Sequence, residues 1–229
     1  MNGDEFAEHF SDFTSIFKRI VPVFIIVFGV LFLYSGNILE FLQLDLGVDL
    51  HGLTPYEILV ARLSLSAYIA VFVLYPYFGF ELLRFLRPGL TGVEYRYLRN
   101  YLPVSYILFV VGCLFSYFVV FSTAVSLLQL YTSAAGASAV WSISSTILFG
   151  VQLSVLCGVM FQVPVVAALL TQLGLIDYKG LKGFRSNFVL IVLVLSALVT
   201  PPDLVTLLLV SVPLMFLYEV SIWISRLLG

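Results

Sequence analysis

The sequence predicts an all-α protein of six membrane-spanning helices, and three observations carry that prediction. The first is composition: of 229 residues, 61% are hydrophobic and only 10% charged, with a mean hydropathy of +1.09. A soluble domain is about half apolar and about a quarter charged. The second is a series of six apolar runs, over residues 20–41, 58–80, 103–130, 144–173, 184–199 and 204–225. A helix needs about 20 residues at a rise of about 1.5 Å to cross about 30 Å of hydrocarbon. The third is the placement of charge. Ten of the eleven Lys and Arg fall in the N-terminal tail, in every second connection and in the C-terminal tail, and none falls in the three connections between them. That alternation predicts both termini in the cytoplasm. The whole chain, 1–229, reads as a single transmembrane domain.

Residues 1–19 are polar and end in Lys18-Arg19. The apolar run that follows is long and has no small-residue cleavage pattern, so it is expected to be a span rather than a cleaved signal. The connection 36–57 carries Asp45, Asp49 and His51 and no basic residue. The second span holds Pro76, an expected kink. It also holds Arg62, one turn in, from where the guanidinium is expected to snorkel outward. Residues 81–102 are expected to be a loop in water, since Pro88, Gly89 and Gly92 interrupt a helix and Arg84, Arg87, Glu94, Arg96 and Arg99 cluster there. The third span is followed by a small-residue connection, and the fourth contains Pro164. Lys179, Lys182 and Arg185 lie between spans four and five. The fifth run is short: from Phe184 to Val199 it would measure about 24 Å, which predicts that the bilayer thins locally or that Arg185 and Asp203 reach out to the headgroups. A tight Thr200–Asp203 turn leads into the sixth span, and Arg226 follows it.

Composition and motifs argue against several function classes. The net charge of −2 gives no reason to expect a nucleic-acid partner. His9 and His51 are predicted on opposite sides and cannot share a site. Metalloprotease, hydrolase-elbow and phosphate-loop patterns are absent, so no enzyme and no cofactor are expected. Cys113 and Cys157 lie inside apolar runs and read as small buried hydrophobes. A small-solute transporter or channel is the alternative reading, but it would call for ionisable groups converging near the midplane or an internal repeat.

Acids in the tail are more informative. Asp4, Glu8 and Asp12 recur every four residues and would share one helix face. The 81–102 segment has two acids, Glu81 and Glu94, against four arginines, so alone it is a poor receptor for a dication. Tail and loop together would supply enough carboxylates, and carboxylates pair with guanidinium through two parallel hydrogen bonds. Deep in span four, Gln162 sits two residues before Pro164. Its amide is expected either to meet a partner helix or to bond inside its own bundle, near a carbonyl freed by the proline.

Several of these stretches, in this order, resemble one family. RFLRPGL with Glu94 beyond it, FSYFVVF (Phe115–Phe121), FQVP (Phe161–Pro164), the TPPD turn, LTPYE (Leu53–Glu57) and HFSDF (His9–Phe13) are similar to TatC, the multispanning core of the twin-arginine protein translocase. Departures, such as Thr14 where a basic residue is usual and Ser122 where proline is frequent, mark a divergent member.

The resemblance implies a cupped six-helix bundle in a prokaryotic cytoplasmic membrane that binds twin-arginine signal peptides of folded cargo. It implies recruitment of TatA/TatB-type single-span partners, self-association within the complex, and transport driven by the proton-motive force. For the signal peptide it implies Glu94, Phe85 and Asp12, with Pro88, Leu90 and His9 beside them. For partner helices it implies Gln162, a glutamate in many members, with Pro164 and Asp203.

Overall fold

The computed structural model describes residues 3–46, 50–134, 136, 140–200 and 203–228, with side chains from residue 16 onward. Eight helices make up the described chain: α1 (Gly3–Leu46), α2 (Glu57–Leu86), α3 (Gly92–Phe115), α4 (Ser122–Ala134), α5 (Ile143–Met160), α6 (Val163–Gln172), α7 (Tyr178–Val199) and α8 (Leu204–Leu228). Six of the rods they form are long and apolar enough to cross a membrane.

Local chemistry explains where the rods start and stop. Glu57 opens α2 and turns its carboxylate back to accept the Leu53 N–H at 2.8 Å, so LTPYE is a helix-entry turn. Asp177 caps α7 by accepting from Gly180 N–H at 2.9 Å, which satisfies one of the donors every helix start leaves orphaned. Gly174 follows α6 at φ +69, and Leu175 N–H bonds back to Leu170 O at 3.0 Å. A left-handed residue at that point is what ends the helix, and glycine takes it without steric cost.

Between α3 and α4 the chain makes six residues of π-helix, Ser116–Phe121, within a continuous rod of 43 residues, Gly92–Ala134. Ser122 N–H bonds to Tyr117 O five residues back. The extra residue rotates the following face, so Phe115 packs on Phe161 with ring centres 5.7 Å apart while Phe121 meets Phe149 at 5.9 Å. Span four is interrupted at Phe161–Gln162. Pro164 stands in the first turn of α6, where its missing N–H is not needed.

Burial is uneven. In the most apolar stretch of the α5–α6 rod 61% of residues are buried within the chain, against none in that of α1. Helix α5 is therefore the axis, with α2, α3 and the π segment packed round it, while α7 and α8 pack on each other and α8 on α6. Leu153, Val120, Val192, Val210 and Leu214 are fully buried at these seams. Helix α1 lies outside the bundle against α2. At the end away from the basic residues, Leu50–His51 (β1) and Trp141–Ser142 (β2) pair in parallel, Leu50 with Trp141 and His51 with Ser142. Tyr117 hydroxyl donates to the Asp45 carboxylate at the same end.

Two expectations are corrected. The segment 81–102 is not a long loop: α2 runs on to Leu86 and α3 begins at Gly92, leaving one 3₁₀ turn, Arg87–Gly89, and two further residues. Pro88 and Gly89 do interrupt the helix, but Thr91 restarts it at once, and Arg84, Arg96 and Arg99 are helical. The fifth helix is not short either. It has 22 residues, because the Asp177 cap starts it ahead of Lys179, Lys182 and Arg185. At about 1.5 Å per residue the whole helix spans about 33 Å, but its first two turns carry those three charges and its apolar part is still the short run 184–199.

Candidate functional site

The expected signal-binding residues gather where α2 ends and α3 begins. Thr91 and Glu94 form a reciprocal capping box there: Thr91 N–H donates to Glu94 Oε2 at 2.8 Å, and Glu94 N–H donates to Thr91 Oγ at 3.4 Å. The signature T-x-x-E was legible in the sequence. Glu94 precedes Pro103, where the apolar run starts, by nine residues, and it faces water. Hydrogen bonds from the Thr91 backbone and hydroxyl hold its carboxyl below the ordinary value of 4.5. One oxygen is committed to Thr91, and among the described residues the other has no donor. Phe85 and Leu90 are half-buried on either side of the turn, and Pro88 is exposed.

Glu81 is not available to a ligand. It is buried in α2 and bound by Arg19 of α1 at 3.2 Å. This ion pair fixes where the first part of α1 passes α2. His9 and Asp12 lie on that part of α1, but their side chains fall outside the described residues. Arg185 and Glu219 pair at 2.6 Å across α7 and α8.

Arg62 does not snorkel. Its Nε donates to Ser35 Oγ at 2.7 Å, its Nη2 donates to Phe32 O at 3.1 Å, and the guanidinium lies 5.0 Å from the Phe32 ring centre. The small, fully buried Ser35 lets α1 and α2 approach, and Arg62 reaches a partner in α1 rather than the headgroups.

A second polar cluster lies deeper, on a cavity of about 450 Å³ walled by α2, α3 and α6. Tyr75 hydroxyl meets Ser105 hydroxyl at 2.7 Å. Ser105 Oγ donates to Gln162 Oε1 at 2.6 Å, and Gln162 Nε2 donates to Ser105 O at 3.2 Å and Gly158 O at 3.4 Å. At the α5–α6 break Gln162 N–H turns to Val159 O, so the side chain supplies what Gly158 O has lost. The cavity's other walls are apolar, including Leu82, Leu86 and Leu102. Pro164 is buried against its own bundle. Asp203 caps α8, accepting from Thr206 N–H at 2.8 Å and from the Thr206 hydroxyl.

Comparison with known proteins follows the same outline. The family model for the Sec-independent protein translocase protein TatC matches residues 8–213. The chain belongs to the TatC family. A curated TatC of Halalkalibacterium halodurans is 31% identical over 226 residues, covering 96% of this chain and 88% of that one. TatCd of Bacillus subtilis is 34% identical over 194 residues, covering 85% and 80%. A crystal structure of the twin-arginine translocase receptor TatC superposes with a TM-score of 0.83 at 30% identity, covering 96% of this chain and 99% of that one. A second crystal structure, of a twin-arginine translocase receptor TatC in DDM, gives 0.84 at 29%, covering 95% of this chain and 99% of that one. This TatC-family chain is thus a multi-pass translocase subunit of a prokaryotic plasma membrane. A solute transporter or channel gains no support from these matches.

Proposed function

We propose that this chain is the signal-peptide receptor and core of a twin-arginine translocase, a non-catalytic role, with both termini and the Glu94 turn in the cytoplasm. The observation that carries the reading is Glu94, ionised and fixed in the first turn of α3, with one oxygen that has no donor among the described residues, and with Phe85 half-buried in the last turn of α2. An exposed carboxylate held in one orientation suits a guanidinium, which presents paired donors, better than an ammonium. Basic residues gather at this end, which the positive-inside bias places in the cytoplasm.

The test is photocrosslinking from the exposed neighbour Val93 to a signal peptide with an RR pair or a KK pair. Strong labelling by RR and weak labelling by KK is the expected result. Equal labelling would overturn the receptor reading.

The second arginine is assigned to the tail. Asp12 precedes Arg19 by seven residues, two helical turns, so both Cα positions lie on one face of α1, and Arg19 is fixed on α2. Neutralising Asp12, or deleting residues 1–12, is expected to weaken RR-peptide binding severalfold. Raising salt should weaken it too, because exposed charges are screened within about 8–10 Å at ordinary ionic strength. Unchanged affinity after the deletion would remove the tail from the site.

Single-span partners of the TatA/TatB type are assigned to the cavity that Gln162 lines, and the complex is assigned more than one copy of this chain. Gln162→Leu leaves Gly158 O and the Ser105 pair without their amide and is expected to cost about 1–2 kcal/mol of stability. A cysteine at 162, scanned against a partner span, separates docking from packing. Crosslinks at one register support docking, and their absence along the whole partner span refutes it. The amide does not titrate, so pH dependence of partner binding has to arise at another residue.

A further inference from the structure

Arg84, Arg87 and Arg99 line one cavity of about 350 Å³, together with Phe80, Leu83 and Tyr95. Arg84 is in the last turn of α2, Arg87 opens the 3₁₀ turn, and Tyr95 and Arg99 stand one turn apart on α3. The Arg87 guanidinium lies over the Tyr95 ring, 5.5 Å from its centre. Among the described residues none of the three arginines has an acidic partner, since Glu81 is taken by Arg19 and Glu219 by Arg185. Three cations facing one space repel each other, and a bound anion relieves that repulsion while accepting several charge-assisted hydrogen bonds.

The remaining walls say which anion. Phe80 stands one turn before Arg84 on the span side and is 61% exposed, and Val73, two turns further along α2, is 48% exposed, so an apolar strip of α2 adjoins the cavity. Its cationic wall lies at the end of the span, where a bilayer's phosphates lie.

We propose that this cavity binds the phosphodiester of an anionic phospholipid, with the phosphate among Arg84, Arg87 and Arg99 and the acyl chains against Phe80. A free phosphate would use the arginines but not the strip. A zwitterionic lipid would add a fourth cation to three, so a headgroup without an ammonium is selected.

The test uses the full-length protein in detergent micelles, titrated with short-chain phosphatidylglycerol or phosphatidylcholine and read by native mass spectrometry. The expected result is one phosphatidylglycerol retained at least about tenfold more tightly than phosphatidylcholine, the scale of one charge-assisted hydrogen bond. Arg84→Gln/Arg87→Gln/Arg99→Gln is expected to lose the preference. A control of equal charge loss, Lys179→Gln/Lys182→Gln/Arg226→Gln, is expected to keep it. Arg99→Gln alone, a milder change to an exposed side chain, is expected to lose about three- to tenfold. Four results would each overturn the proposal. They are a preference surviving in the triple and single cavity variants, equal affinity for the two lipids, and displacement by inorganic phosphate. The fourth is lipid binding that appears only after residues 1–12 are deleted, which would make the acidic tail the occupant.

Discussion

Glu94→Gln is expected to lower affinity for an RR signal peptide about ten- to a hundredfold, the range of a lost hydrogen bond to a charged group, while leaving the unfolding midpoint unchanged. The two effects separate because of the capping box. Glutamine at the third helical position still accepts from Thr91 N–H, so α3 starts where it did. Only the charge is removed. Glu94→Ala removes charge and box together and is expected to lower both affinity and midpoint. The pH dependence has a fixed sign. Bonds from Thr91 depress the carboxyl below its ordinary value of 4.5. The ionised form, and with it the affinity for the RR peptide, is therefore fully present above that value and is lost as pH falls through the depressed one. Binding isotherms of the two peptides at neutral pH check the assignment, and equal affinity of Glu94→Gln and wild type would remove Glu94 from the receptor site.

Gly112→Ala is expected to destabilise the bundle by about 1–3 kcal/mol, the usual cost of overpacking a filled interface. Lipid tails are as apolar as leucine, so helices in a membrane are held by close packing, and small residues permit it. Helix α3 meets α5 at such a point. A Cβ on Gly112 would lie 2.9 Å from Phe161 Cβ and Cγ and 3.0 Å from the Cys157 carbonyl oxygen. The carbonyl is backbone, so the helices themselves must part. Across the same seam a Cβ on Gly158 would meet Phe109 at 2.8 Å. That ring stacks on Tyr75 with centres 4.2 Å apart, which limits how far it can yield. Gly36 in α1 is the internal control, with nothing within 4 Å of its Cβ position. Alanine there is expected to be neutral or to stabilise by about 0.5–1 kcal/mol through reduced chain entropy. Unfolding midpoints in one detergent compare all three, and a Gly112→Ala midpoint equal to that of Gly36→Ala would refute the packing argument.

Six spans were legible because apolar length and the alternation of basic residues are one-dimensional signals. Ends of helices were less so. Arginines at 84, 96 and 99 read as loop because charge argues for water, but a helix can leave the bilayer and keep its hydrogen bonds, as α2 and α3 do. Asp177 has a side chain suited to capping a helix, but the lysines that follow it read as loop. Glu81 and Arg62 were misplaced for a different reason. Their partners, Arg19 and the Phe32–Ser35 turn, are 62 and about 30 residues away, and no local pattern encodes a tertiary ion pair. The π segment at Ser116–Phe121 is equally silent in composition. Gln162 fell within its two stated alternatives: its side chain bonds in its own bundle, to the carbonyl of Gly158, while its place on an open cavity leaves partner docking to experiment.

Helix α1, at 44 residues, is about 66 Å long, roughly twice the thickness of the hydrocarbon. On the proposed function the tail end of α1 and the Glu94 turn would stand side by side in water like two posts, and a charged peptide held between them would stay hydrated. An exposed ion pair holds less tightly than a buried one, so on this reading the grip depends on both posts being engaged at once. Such a grip forms quickly under electrostatic steering and lets go quickly once either contact is broken. A carrier that must hand its cargo onward is better served by fast release than by a deep, dry pocket.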